Sequence, residues 1–371
     1  MNPVAAAAAP AERRELVAMA GELARRELAP RARQLDEQQP EALGAAWARL
    51  VEVGFDRALV AVDCGGAGLD AATLLGCLEE IAVGDAGVAL SVLLSNAALA
   101  ALPAERVAAL PTGARWAMLP APPAELPTAA RIEVEQRDGP ATVRGELCPA
   151  LGALGADGLV LVADGKRPAV LGLPATTAGM RTSPAEPQLG LRAAPAARVS
   201  FTGPAAQVAI AEPDALLVAA RSLALLRAGT AAIARGLSRR ALAAALDYAE
   251  NRIQGGVPIV AHDAVRDMLA AMRVRLAAGK SPATALEAGE AETLAAKIAA
   301  TEAAVATTTD AVQVFGGAGY MHESGVEKLM RDAKCLQLWP EPNWIAARML
   351  AAGLSPGMPG GRGVAARPLS S

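Results

Sequence analysis

Apolar residues recur with helical spacing near the start of the chain. Over residues 15–28 they stand close to the 3.6-residue period, at Leu16, Val17, Met19, Ala20, Leu23 and Ala24. Similar segments predict helices over 40–53, 71–83 and 88–101. Pro30 is predicted to close the first helix and Gly54 to follow the second. Asp70 is predicted to cap the third helix.

The pattern changes after residue 110. Prolines cluster over 111–127, and short runs with β-strand character follow at 131–136, 158–163, 169–173 and 198–201. Long helical segments return at 214–250, 262–278 and 287–314. This order predicts an α+β chain with an N-terminal helical domain (1–110), a middle β domain (111–210), a C-terminal helical bundle (211–352) and a flexible tail (353–371).

Composition narrows the function classes. Of 371 residues, 53% are hydrophobic and only 9 are aromatic (Trp 4, Tyr 2, Phe 3), so the core must consist of Ala, Leu and Val. The net charge of −3 and the shortage of aromatic rings argue against nucleic-acid binding. No segment resembles a signal peptide or a membrane span, so no membrane partner is expected.

Cysteine and histidine usage exclude further chemistry. The four cysteines are far apart without a C-x-x-C pair, which favours free thiols in a reducing cytoplasm. With only two histidines, a metal site is not expected, and a Ser-His-Asp hydrolase lacks its G-x-S-x-G motif. Residues 66–71 imitate a Rossmann G-x-G-x-x-A, but the acidic residue and β-α-β alternation that should follow are missing, which predicts a loop between helices.

Two segments near the C-terminus carry the most specific signal. Residues 313–320 read Q-V-F-G-G-A-G-Y, and residues 326–334 read V-E-K-L-M-R-D-A-K. Together they resemble the C-terminal signature of the acyl-CoA dehydrogenase family, and segments 64–70, 79–82, 188–192 and 252–259 resemble further family motifs in the same order. The resemblance implies an N-terminal helical domain, a middle β-barrel, a C-terminal four-helix bundle, bound FAD and usually a homotetramer.

The same segments suggest a cofactor site. Gly316 and Gly317 at a helix end let a backbone approach a ligand closely, and Arg252 can pair with a diphosphate. In the family the equivalent segments reach the FAD of a neighbouring subunit. The resemblance therefore predicts FAD-binding residues, namely Arg252, Gln254, Gln313, Gly316 and Gly317.

The chain departs from the family where the catalytic base is expected. The family's segment with its glutamate aligns with residues 339–343, where Pro340 occupies the Glu position and Glu341 follows one residue later. Glu341 is the predicted base, with an exposed loop carboxylate as the alternative. The flavin-ring segments aligned with 118–123 and 144–151 have also lost their polar residues, and Pro149 and Leu151 replace a Trp and a Thr.

Three interpretations remain open. The chain is a divergent subunit that completes the flavin site of a partner in a heterotetramer, a self-sufficient homotetrameric dehydrogenase with Glu341 as a displaced base, or a flavin-free binding protein on the same fold. The resemblance implies α,β-dehydrogenation of an acyl-CoA thioester in fatty acid or lipid metabolism. It also implies electron-transfer flavoprotein as the partner that receives the electrons.

Overall fold

The computed structural model describes residues 10–120, 132–135, 142–163, 169–204, 208–210 and 214–354. Its N-terminal part is helical. A π-helical turn (Ala24–Leu28) and a 3₁₀ turn (Ala29–Arg31) continue the path of the first helix through Pro30, so the predicted closure at this proline is wrong. Proline is tolerated here because it lies in the first turn of the new helical segment. The α-helices are α1 (Pro10–Leu23), α2 (Ala32–Asp36), α3 (Pro40–Glu52), α4 (Ala71–Gly84), α5 (Ala86–Ala100) and α6 (Ala104–Ala108).

The predicted helix ends are confirmed at α3 and α4. Gly54 follows α3 at φ 77°, in the left-handed region that favours glycine. Asp70 caps α4, with its Oδ1 accepting a hydrogen bond from the Thr73 N–H at 2.6 Å. The Gly-rich segment before Asp70 is a loop between helices rather than a Rossmann turn, as predicted.

The described residues of the middle part form two four-stranded sheets. One has the order β1-β4-β5-β8 and the other β2-β3-β7-β6. In the described residues these sheets are separate, so the predicted closed barrel is not confirmed; closure needs one continuous ladder of strand pairs. The strands are β1 (Trp116–Leu119), β2 (Ile132–Glu135), β3 (Thr142–Ala150), β4 (Gly158–Ala163), β5 (Ala169–Pro174), β6 (Met180–Ala185), β7 (Ala197–Pro204) and β8 (Val208–Ile210).

The C-terminal part is a helical bundle around two long helices, α7 and α10, which pack along each other. The most apolar stretch of α7 is long enough to cross a membrane, but 56% of it is buried inside the protein, as in a core helix. The other helices pack on these two. The elements are α7 (Asp214–Asn251), β9 (Ile253–Gln254), β10 (Val257–Pro258), α8 (Asp263–Ala278), α9 (Pro282–Ala288), α10 (Glu290–Phe315), α11 (Val326–Leu336) and α12 (Asn343–Leu354).

A buried lysine joins α11 to the N-terminal helices. The Nζ of Lys328 lies 2.6 Å from Asp332 Oδ2 on the same helix and 3.0 Å from Asp85 Oδ2 before α5. The two carboxylates outweigh burial and raise the pKa of Lys328, so it stays an ammonium. Asp332 also accepts a hydrogen bond from the Leu191 N–H at 2.6 Å, which ties in the middle part.

A second ion pair makes the same connection. Arg331 donates to both carboxylate oxygens of Asp36, at 3.1 and 2.7 Å, and to the carbonyl oxygen of Leu189 at 2.8 Å. Gly190 follows Leu189 in the chain. It packs so closely on α11 that a Cβ at this position would lie 2.6 Å from the backbone of Arg331. Lys328, Arg331 and Asp332, which belong to the 326–334 signature, therefore connect the N-terminal, middle and C-terminal parts of the chain.

Candidate functional site

The end of α7 turns into a short hairpin that carries two of the predicted cofactor residues. Strands β9 and β10 pair antiparallel, and Gly255 and Gly256 form the turn with φ of 62° and 82°. Two successive positive φ angles are those of a type I′ turn, which Gly-Gly adopts without strain. The hairpin is anchored because the Ile259 N–H donates to the carbonyl oxygen of Arg252 at 2.8 Å. The side chains of Arg252 and Gln254 are exposed.

The end of α10 carries the other three predicted residues. Gln313 is exposed on the last turn, and Gly316 ends the helix at φ 58°. Apart from the glycines themselves, their neighbours along the chain and the adjacent helix backbone, no atom of the described residues lies within 4 Å of the position that a Cβ on Gly316 or Gly317 would occupy. The glycines are therefore not required by packing within this chain, and they leave the backbone open to an external group.

A ring stack brings these two helix ends together. Tyr248 on α7 and Phe315 on α10 stack with ring centroids 4.1 Å apart and planes at 15°. The Arg252 N–H donates to the carbonyl oxygen of Tyr248 at 2.8 Å. The hairpin therefore begins one helical turn after the stacked tyrosine. The structure thus places the five predicted cofactor residues at one end of the bundle.

This end of the bundle is apolar as well as charged. Four large side chains around the predicted residues are exposed: Ile253, Val257, Tyr320 and Met321. Tyr320 is 84% exposed, which is unusual for a residue with so much apolar surface. Within the described part of the chain the guanidinium of Arg252 has no hydrogen-bond or ion-pair partner, so its donors are available.

The structure places Glu341 elsewhere in the bundle. Its side chain is 2% exposed, and its Oε1 accepts a hydrogen bond from Arg227 Nε at 3.0 Å. Arg227, on α7, is itself buried and donates to Glu290 Oε1 at 3.1 Å. The exposed loop carboxylate considered as an alternative is therefore wrong, because the segment between α11 and α12 folds into the bundle.

Sequence reasoning missed two buried cations beside this segment. Arg227 and Lys297 are 1% and 0% exposed, and Lys297 donates to the carbonyl oxygen of Glu341 at 2.6 Å. Burial lowers the pKa of Lys297 to about 8, although Glu341 and Glu302 counteract it. In the sequence, Arg227 and Lys297 are each a single charge within an apolar helical stretch. This pattern indicates a buried ionic or hydrogen-bonding partner, because a buried charge without one is unfavourable.

The segments expected to hold the flavin ring are only partly described. Met118 and Leu119 are buried in β1, whereas residues 121–123 lie outside the described residues. Residues 144–150 belong to β3, where Glu146 is ion-paired with Arg198. Pro149 and Leu151 offer no side-chain hydrogen bond. Within the described ranges no group of three or more acidic, histidine or cysteine side chains could hold a metal ion.

Comparison with known sequences identifies both helical parts. Residues 10–107 match the acyl-CoA dehydrogenase N-terminal domain, and residues 216–354 match the acyl-CoA dehydrogenase C-terminal domain. The chain is 40% identical over 127 residues to an acyl-CoA dehydrogenase of Bacillus subtilis, a match that covers 32% of this chain and only 33% of that relative. It is 28% identical over 363 residues to the cyclohex-1-ene-1-carbonyl-CoA dehydrogenase of Syntrophus aciditrophicus, covering 90% of this chain and 87% of the relative.

Solved structures share the whole architecture. Butyryl-CoA dehydrogenase from Megasphaera elsdenii superposes with a TM-score of 0.81 at 23% identity, covering 92% of this chain and 97% of that one. The FAD complex of PigA superposes with a TM-score of 0.82 at 19% identity, covering 94% and 98%. At this identity the likeness establishes the fold. Together with the two domain matches, it shows that the chain belongs to the acyl-CoA dehydrogenase family.

Proposed function

We propose that this chain takes part in FAD-dependent α,β-dehydrogenation of an acyl-CoA thioester as a divergent subunit that completes the flavin site of a partner chain. The proposal rests on a difference in exposure between the predicted base and the predicted cofactor residues. The carboxylate of Glu341 is buried against Arg227, whereas the five predicted cofactor residues lie exposed at one end of the bundle. A base must present an oxygen to its substrate, and a residue that serves another chain must lie at the surface.

The residues at the exposed end fit the diphosphate of FAD. The guanidinium of Arg252 has free donors for a phosphate, and Gly316 and Gly317 leave space where a Cβ would obstruct a ligand. The amide groups of Gln254 and Gln313 add donors and acceptors beside them. When bound, FAD supplies the hydride acceptor for the reaction. The described part of the middle sheets lacks matching polar side chains for the flavin ring, which supports a ring pocket supplied by the partner.

The exposed apolar side chains support the same proposal. Ile253, Val257, Tyr320 and Met321 are exposed, lie close to the predicted cofactor residues along the chain, and would be buried by a docked chain. Apolar and aromatic side chains of this kind are typical of the centre of protein interfaces. We extend the proposal to a tetramer in the cytoplasm, either homomeric or heteromeric, that passes its electrons to an electron-transfer flavoprotein and serves lipid metabolism.

The alternative is a self-sufficient dehydrogenase in which Glu341 is the base. It requires Glu341 to leave Arg227 when substrate binds, which removes one of the two carboxylate partners of a buried arginine. A flavin-free binding protein is the remaining alternative. The near full-length match to the Syntrophus dehydrogenase favours an enzymatic role over this last alternative.

Flavin content of the purified protein tests the proposal. The chain is produced alone and together with a second family member that retains the intact flavin-ring and base segments. We expect little absorbance between about 350 and 500 nm for the chain alone, and flavin absorbance for the complex. Arg252→Met is expected to reduce the flavin content of the complex, whereas Arg33→Met, at an exposed arginine of α2, is not.

Two outcomes would contradict the proposal. A yellow homotetramer that oxidises acyl-CoA without a partner would support the self-sufficient alternative, and loss of its turnover in Glu341→Gln with flavin retained would identify Glu341 as the base. A chain that stays colourless in every complex would support the flavin-free alternative.

A further inference from the structure

Lys297 makes three hydrogen bonds to one short segment of the chain. Its Nζ donates to the carbonyl oxygen of Glu341 at 2.6 Å, to Asn343 Oδ1 at 2.7 Å and to the carbonyl oxygen of Gln337 at 3.3 Å. An ammonium group has three N–H donors, so these acceptors use all of them. The side chain is fully buried on α10, where water cannot replace a lost bond.

The segment that Lys297 contacts is 337–343, which joins α11 to α12. The backbone closes on itself where the Asn343 N–H donates to the carbonyl oxygen of Gln337 at 2.9 Å. Asn343 is also held from α10, since its Nδ2 donates to Thr301 Oγ1 at 3.0 Å. Both ends and the middle of the segment are thereby attached to one helix.

We propose that Lys297, as an ammonium ion, is the positioning residue that fixes segment 337–343, which contains the predicted base Glu341, against α10. The importance of this segment for activity rests on the proposed function. The arrangement of the segment itself does not. The side chain of Arg227 holds the same segment from α7 through Glu341 Oε1, so Lys297 acts on its backbone and Arg227 on its carboxylate.

The protonation state of Lys297 controls this arrangement. The charged groups that face it are Glu341 from the segment, Arg227 from α7 and Glu302 from α10. Burial has the largest effect, and the resulting pKa of about 8 lies far below that of an exposed lysine. A neutral amine donates only two hydrogen bonds, so deprotonation releases one of the three acceptors. We therefore expect the segment to loosen as the pH rises through this pKa.

Hydrogen exchange of the backbone amides in 337–343 measures this directly. Exchange is followed by mass spectrometry at about pH 7 and about pH 9, on either side of the lysine's pKa, with the intrinsic pH dependence removed. In the wild type we expect exchange in this segment to be about tenfold faster at the higher pH, the factor that a lost hydrogen bond corresponds to. Segments far from Lys297, such as α4, should show no corrected change.

Variants separate positioning from general destabilisation. Lys297→Met should exchange rapidly in 337–343 at both pH values, and Lys297→Arg, which stays charged, should remain slow at both. Lys280→Met removes an exposed lysine paired with Glu292 and should behave as the wild type. Corrected wild-type exchange that is equal at the two pH values would overturn the proposal, and so would a Lys297→Met protein that keeps the slow rate and its pH dependence.

The wild-type pH comparison needs no variant, so poor folding of Lys297→Met leaves the proposal testable. The experiment contains no FAD, acyl-CoA or second subunit. If exchange in 337–343 does not depend on pH but the complex binds flavin, only the role of Lys297 is rejected. If exchange depends on pH as expected but the complex is colourless, only the proposed function is rejected.

Discussion

Arg227 and Glu341 form a buried ion pair across the helical bundle, with the Arg227 Nε 3.0 Å from the Glu341 Oε1. The pair connects the longest helix to the segment where the family resemblance predicts the catalytic base. Both side chains are almost completely buried, so each compensates the charge of the other in an environment where an isolated charge is unfavourable.

Removing one member of this pair should destabilise the fold strongly. Arg227→Met leaves the Glu341 carboxylate buried without its partner, and we expect the free energy of unfolding to fall by about 3–5 kcal/mol. The double variant Arg227→Met/Glu341→Leu should recover part of that loss, because neither member of the ion pair then stays buried without the other. Urea denaturation measures each value. Arg266→Met, which removes an exposed ion pair with Asp263, should change the free energy by less than about 0.5 kcal/mol. A double variant no more stable than Arg227→Met would contradict this account.

Lys328 should be equally important for the connection between the parts of the chain. Lys328→Met leaves Asp85 and Asp332 as two buried carboxylates without their cation, and we expect a loss of about 3–5 kcal/mol in the free energy of unfolding. Lys280→Met serves as the control, since that lysine is exposed. Chemical denaturation provides the measurement, and a loss as small as that of the control would show that the signature lysine is not structural.

The Asp36–Arg331 pair predicts a pH dependence with a definite sign. Burial opposes ionisation of Asp36, but the bonds from Arg331 outweigh it and hold the pKa of Asp36 below its usual 3.8. The stabilisation is therefore complete above the ordinary pKa and is lost as the pH falls through the lowered value. The stability difference between wild type and Asp36→Asn should shrink from about pH 6 to about pH 3. Asp263→Asn, at an exposed carboxylate, should show no such trend, and a difference for Asp36 that is constant over this range would argue against the pair.

The cysteines should differ in reactivity. Burial raises the pKa of Cys77 to about 12, so almost no thiolate forms at this position near neutral pH. We expect Cys77 to resist iodoacetamide in the native protein and to react once the protein is unfolded in urea. Cys64, Cys148 and Cys335 are only partly buried and serve as internal references. Peptide mapping by mass spectrometry reads the order of labelling, and modification of Cys77 before the other three would be inconsistent with this core.

Much of the architecture followed from local patterns. The 3.6-residue spacing located the long helices, and Asp70 and Gly54 marked helix ends that the structure reproduces. The strand predicted at 158–163 has the same bounds as β4, because its apolar run is bounded by turn residues. Strands such as β6, with the sequence M-R-T-S-P-A, carry no apolar alternation and were missed. Their pairing with β7 depends on a neighbour that local sequence does not specify.

For the candidate site, too, some features followed from local sequence and others only from the packing of distant residues. The amino-acid sequence by itself indicated the family, through the resemblance of segments 313–320 and 326–334. It also indicated residue types suited to a diphosphate, because a Gly-Gly at a helix end and an arginine each have a local physical meaning. Only the tertiary structure decided that the two helix ends meet through Tyr248 and Phe315, and that Glu341 is bonded to Arg227. Arg227 and Glu341 are separated by 114 positions, and Lys297 lies 44 positions from the carbonyl oxygen that it contacts. Such partners are chosen by the packing of whole helices, which brings distant charges into one buried space where each must be compensated.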